Sequence, residues 1–131
     1  MSNWKPYNNN PTGRNVGDCA VRALTVALGV DWEQAFALLS KNAYQMADMP
    51  SSNAVIGSVL RQHGFRRSVI PNSCPDCYTI GDFAADHPKG VYVVGTGNHM
   101  VAVRDGMIMD SWDSSMEVPI FYWWRKDDGT L

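Results

Sequence analysis

The chain has 131 residues, 45% of them hydrophobic and 18% charged, a balance that suits one domain with its own core and excludes a disordered segment. A formal net charge of −2, with Lys and Arg scattered apart from Arg66-Arg67, gives no basic stripe for phosphates, so nucleic acid is not an expected partner. The opening Met1 to Tyr7 has no apolar core for a secretion signal, and no window reaches the length of a membrane span, so the expectation is a cytoplasmic protein with reduced thiols and no membrane partner.

Residues 1–17 are rich in Asn, Pro and Gly without a period, which predicts an irregular N-terminal arm anchored by Trp4 and Tyr7. From Asp18 the pattern turns helical. Val21, Leu24, Ala27 and Leu28 share a face, Asp18 is placed to cap and Gly29 to close, so Cys19 opens a helix. Asp31 with Gln34 three residues on reads as a capping box for a second helix reaching about residue 45. Ser51 or Ser52 caps a third, with Gly64 just past its end.

Phe65 to Ile70 then reads as a strand, and Thr79 with Asp82 as the cap of a short helix ending before Pro88. Val91–Val94, Met100–Val103, Met107–Met109 and Val118–Trp123 are short β-branched or aromatic runs, with Asp105-Gly106 a hairpin turn between two of them. Helices followed by an antiparallel sheet give an α+β fold, a single domain over residues 1–131.

Two segments carry chemistry. A thiol acts as nucleophile only as thiolate, and a helix N-terminus favours that form; Gly17-Asp18-Cys19 puts the thiol in the first turn, beside backbone N–H groups able to hold an oxyanion. The bland reading of Cys19 is a small apolar residue in a helix. Gly97-Asn98-His99 starts a strand, and period-two counting through the Asp105-Gly106 turn brings Asp110 and Trp112 onto the face of His99. A carboxylate on one ring nitrogen fixes the tautomer and leaves the other to take the thiol proton.

These residues resemble a family. Asn98-His99-x-Val101 followed by Asp110-Ser111-Trp112, with Cys19 upstream at a helix start, looks like the papain-like cysteine peptidases, and like small papain-like proteins encoded by phages and prophages. The resemblance implies a papain-like fold, with helices packed on a C-terminal sheet, and a peptidase or isopeptidase that needs no cofactor. In it Cys19 is the nucleophile, His99 the base and Asp110 the orienting residue, and the partner is a peptide or protein substrate. One departure stands out: those relatives place an oxyanion-hole Gln about six residues before the nucleophile, and here that position is Gly13. Asn15 or Asn10 is then a candidate donor beside the Cys19 N–H, or either is simply a turn residue. The departure keeps a second reading open, a catalytically silent papain-fold binding module that captures a host factor.

Cys74-Pro75-Asp76-Cys77 has the spacing of half a zinc site, which His63 and His87 would complete, although the spacing is not a standard finger and a structural turn is the favoured reading. Arg22, three residues after Cys19, faces the thiol's side of the helix, where it pairs with Asp18 or Asp113 or supports a thiolate.

Overall fold

The computed structural model describes residues 3–71 and 77–126. Its elements run β1 (Trp4–Pro6), α1 (Cys19–Leu28), α2 (Trp32–Met46), α3 (Asn53–Gln62), β2 (Arg66–Val69), α4 (Ile80–Asp86), β3 (Val91–Gly95), β4 (Met100–Arg104), β5 (Met107–Asp110) and β6 (Phe121–Trp124). The fold is α+β. Among the described residues no helix is long and apolar enough to cross a membrane.

The strands make one six-stranded sheet in the order β1-β5-β4-β3-β6-β2. Alternation along the strands divides two apolar layers. Val93, Ala102, Met109, Phe121 and Trp123 pack with α1, α2 and α3, while Val94, Val101, Val103 and Ile108 pack under α4. The sheet is mixed, which corrects the all-antiparallel expectation. β1 forms within the supposedly irregular arm and pairs in parallel with β5, Trp4 against Ile108 and Pro6 against Asp110. A three-residue strand that contains Pro carries no readable period, and Pro is tolerated there because β1 is an edge strand. Trp4 and Tyr7 do anchor the arm: the indole Nε1 donates to the Asp110 carbonyl at 3.0 Å, and the Tyr7 hydroxyl lies 2.8 Å from Thr25 Oγ1.

The β4–β5 hairpin turns through Asp105 and Gly106, both at positive φ (49° and 79°), as a two-residue turn of the primed kind requires. That turn fixes the register Ala102 to Met109, and the strands leave the sheet at the end where His99 and Asp110 stand.

Helix starts are capped as the residue types dictate, with one exception. Asp31 accepts from the Gln34 N–H in a complete capping box, Ser52 accepts from Ala54 and Val55, and Thr79 and Asp82 form a second box. Asp18 stands at the N-cap of α1 and makes no side-chain cap bond, contrary to expectation. Its carboxylate is drawn away by stronger donors, the Arg22 guanidinium and the Trp32 indole at 2.9 Å.

Candidate active site

Cys19 begins α1 where the helix N-terminus meets the open ends of β4 and β5, and its half-buried thiol is hydrogen-bonded to the His99 ring and to the backbone N–H of Met100. His99 Nε2 lies 2.7 Å from Asp110 Oδ2, which leaves Nδ1 for the sulfur. The ring is braced by Trp112, whose centroid is 5.0 Å away. Asp110 is held from every side: Ser114 Oγ donates to Oδ2 at 2.7 Å, the Ser111 N–H to Oδ1 at 2.8 Å, and Arg22 Nη2 to Oδ1 at 3.3 Å. Asp113 is not part of this set; its carboxylate accepts from the Ser115 N–H.

Behind these residues the charges continue inward. Arg22, buried, bonds Asp110 with one guanidinium nitrogen and Asp18 with the other. Asp18, Arg22, Asp110, His99 and Cys19 thus form a line of alternating sign running from the root of α1 to the sulfur. Asp18, Arg22 and Asp110 are 5%, 5% and 1% exposed, a degree of burial that ionised groups show only when paired. Of the sequence alternatives for Arg22 the pairing with Asp18 is present and that with Asp113 is not, and the second bond, to Asp110, is not among them.

The titration of the site follows from these contacts. Burial works against the Cys19 thiolate, but the bonds from His99 and the Met100 N–H, with the charges of His99 and Arg22, outweigh it and lower the thiol below its ordinary value. Burial likewise opposes a charged His99, yet Asp110 and Cys19 together lift the ring to about 9. Desolvation of Asp110 is overcome in the same way by His99 and Ser114, so its carboxyl falls below the usual range. Both shifts favour the thiolate–imidazolium form of the pair.

The cleft over the sulfur has a volume of about 380 Å³ and is walled by Asn15, Gly17, Asn98, His99 and Trp112. Asn15 is therefore at the cleft. Asn10 is not: its Oδ1 accepts from Thr12 in a turn and its amide donates to Asp18 at 3.4 Å, so it braces the loop and is corrected as an oxyanion donor. Because Asp18 leaves α1 uncapped by a side chain, the first-turn N–H groups of α1 remain as donors beside the thiol. Sequence reasoning missed the Met100 N–H and Ser114, and only the four-residue spacing of Ser114 from Asp110 in the segment after β5 hinted at either.

Among the described residues, the two histidines considered as zinc ligands are each engaged elsewhere. His63 Nδ1 lies 2.9 Å from the Val59 carbonyl at the end of α3. His87 Nδ1 lies 2.7 Å from the Phe83 carbonyl, with its ring stacked on Phe83, at the end of α4 on the opposite face of the sheet. Cys74 lies outside the described residues. Cys77 is disulfide-bonded, which departs from the expectation of reduced thiols and removes it as a thiolate ligand, while Cys19 is free. No cluster of three metal-ligating side chains occurs among the described residues.

The chain matches no family profile, no curated protein and no solved structure.

Proposed function

We propose that this protein is a cysteine hydrolase of papain-like type, a peptidase or isopeptidase acting through Cys19, His99 and Asp110. The observation that carries the reading is a free thiol at a helix N-terminus bonded to an imidazole whose far nitrogen is held 2.7 Å from a buried carboxylate. In the resting pair the proton sits on His99. The Cys19 sulfur attacks the substrate carbonyl carbon, a C–S bond forms, and the carbonyl electron pair moves to oxygen, facing the first-turn N–H groups of α1. Collapse breaks the C–N bond, and the departing amine takes the proton from His99. The neutral ring then deprotonates water, which attacks the thioester and releases the acid, and the thiolate and imidazolium are restored. Asp110 holds the ring through the cycle without taking the proton.

The test is alkylation of the folded protein by iodoacetamide, followed across pH with each cysteine read separately by mass spectrometry. The rate at Cys19 is expected to persist well below the ordinary thiol range of about 8.5, to shift upward in pH in His99→Ala, and to shift less in Asp110→Asn. A p-nitrophenyl ester should leave one acyl group on Cys19 of the wild type and none in His99→Ala. A Cys19 that titrates as an ordinary thiol, unchanged by His99→Ala, overturns the enzyme and puts a papain-fold binding module in its place.

A further inference from the structure

Cys19 opens α1, His99 directly precedes β4 and Asp110 ends β5, so the three groups depend on three elements keeping their places. The hairpin register holds β4 against β5 and with it the imidazole near the carboxylate. The helix meets the sheet through apolar packing, which has no direction of its own and does not set the sulfur against the ring.

Arg22 supplies a directed link. It follows Cys19 by three residues, within one turn of α1, and both line the cleft. Its Nη2 donates to Asp110 Oδ1 at 3.3 Å and its Nη1 to Asp18 Oδ1, while its buried Nε has no partner among the described residues. The two carboxylates are therefore what hold the guanidinium, and Asp18 is itself fixed to α2 by the Trp32 indole at 2.9 Å. The contacts close on themselves: sulfur to His99, His99 to Asp110, Asp110 to Arg22, and Arg22 back to Cys19 through one turn of backbone. Asp110 is pinned at both oxygens, Oδ2 by His99 and Ser114, Oδ1 by Arg22 and the Ser111 N–H. Without Arg22 the second oxygen keeps only the bond from the adjacent backbone.

We propose that Arg22 is a positioning residue for the triad: by bridging Asp18 and Asp110 it fixes the orienting carboxylate on His99 and ties both to the helix that carries Cys19. The inference rests on the hydrolase reading, in which the alignment of these three groups matters. The fork is what the task requires, because a planar guanidinium reaches two carboxylates at once, whereas a lysine ammonium is a single point of charge.

The pH profile of Cys19 alkylation by iodoacetamide tests this, with urea unfolding measured alongside. His99 and Arg22 are the charged groups acting on the sulfur, and Asp18 and Asp110 are those facing Arg22. Arg22→Lys keeps a buried cation but reaches one aspartate only, and the midpoint of the profile is expected to rise by about one pH unit. Arg22→Met should move it at least as far. Asp18→Asn, which weakens the far arm of the bridge and decides if neither Arg22 variant folds, should move it upward by less; loss of a negative charge alone would move it down. Asn42→Ala, which deletes a buried amide between α2 and α3, is the control: stability should fall and the midpoint stay. A wild-type midpoint in Arg22→Lys, an Asp18→Asn midpoint that stays or falls, or an equal rise in Asn42→Ala overturns the positioning role. His99→Ala separates the two failures. If it moves the midpoint and Arg22→Lys does not, the role of Arg22 alone is overturned; if it moves nothing, the hydrolase reading falls and this inference with it.

Discussion

Two aspartates stand at helix starts thirteen residues apart and do different work. Asp31, with extended backbone (φ −81°, ψ 174°), folds its carboxylate over the first turn of α2 and satisfies the Gln34 N–H at 2.7 Å. Asp18, with φ −111° and ψ 27°, turns its carboxylate inward to Arg22 and Trp32 and leaves α1 without a side-chain cap. The first arrangement serves one helix. The second links a helix start to the carboxylate that orients His99, and it leaves the N–H groups next to the sulfur uncovered. Equal residues at equal positions thus divide by what lies within reach, and the uncapped helix is the one that carries the thiol.

That contrast can be broken in steps. The largest effect is expected from Arg22→Met, which leaves Asp18 and Asp110 buried without their shared cation; urea unfolding should show a loss of about 3–5 kcal/mol. Asp18→Asn keeps an acceptor for Trp32 but sets an amide against the guanidinium, and the loss should be about 1–3 kcal/mol, with a changed pH profile of Cys19 alkylation. Asp31→Ala removes an exposed cap, so stability should fall by about 1 kcal/mol and the alkylation profile should not move.

The subtlest effect is a dependence on pH. The ring of His99 is raised by folding from 6.5 to about 9, so the stability it contributes is fully present below 6.5 and is lost as pH rises through about 9. Cys19 is lowered by folding, so its contribution is present above its ordinary value of 9.0 and lost as pH falls through the lowered one. Between about pH 7 and about pH 9 the two contributions run in opposite senses, so the unfolding free energies of wild type and Asp31→Ala should stay nearly level there, whereas that of Cys19→Ser, which keeps only the His99 contribution, should fall as pH rises across the same window.

The parts of this molecule that sequence reading reached are those in which the signal is local. Asp31 with Gln34, Ser52, and Thr79 with Asp82 announce their helices because a cap needs only three neighbouring residues. Asp105-Gly106 fixes a two-residue turn, and the pleat then carries Asp110 to the level of His99 by counting alone. Long-range features were out of reach. Nothing in Trp4-Lys5-Pro6 says that it will lie beside Ile108 to Asp110. Asp18 looked like a cap although Arg22, four residues on, was within its reach, because the second competing donor, Trp32, is brought to it only by the packing of α1 on α2. The apolar runs likewise gave strands but not their order, in which β2 ends up at the edge beyond β6.

The pairing of β1 with β5 has a consequence in time. The Asp110 carbonyl accepts from the Tyr7 N–H at 2.8 Å and from the Trp4 indole at 3.0 Å, so the strand that ends in the orienting carboxylate is gripped by residues about a hundred positions earlier in the chain. A growing polypeptide emerges from its N-terminus, and contacts of such long separation close late. The thiol of Cys19 exists from early in synthesis, but as an ordinary thiol, with neither imidazole nor carboxylate beside it. The contacts that lower the thiol assemble only when β4 and β5 arrive, so on the proposed hydrolase reading the chain would pass the period in which it is unfolded and cleavable with its nucleophile unarmed.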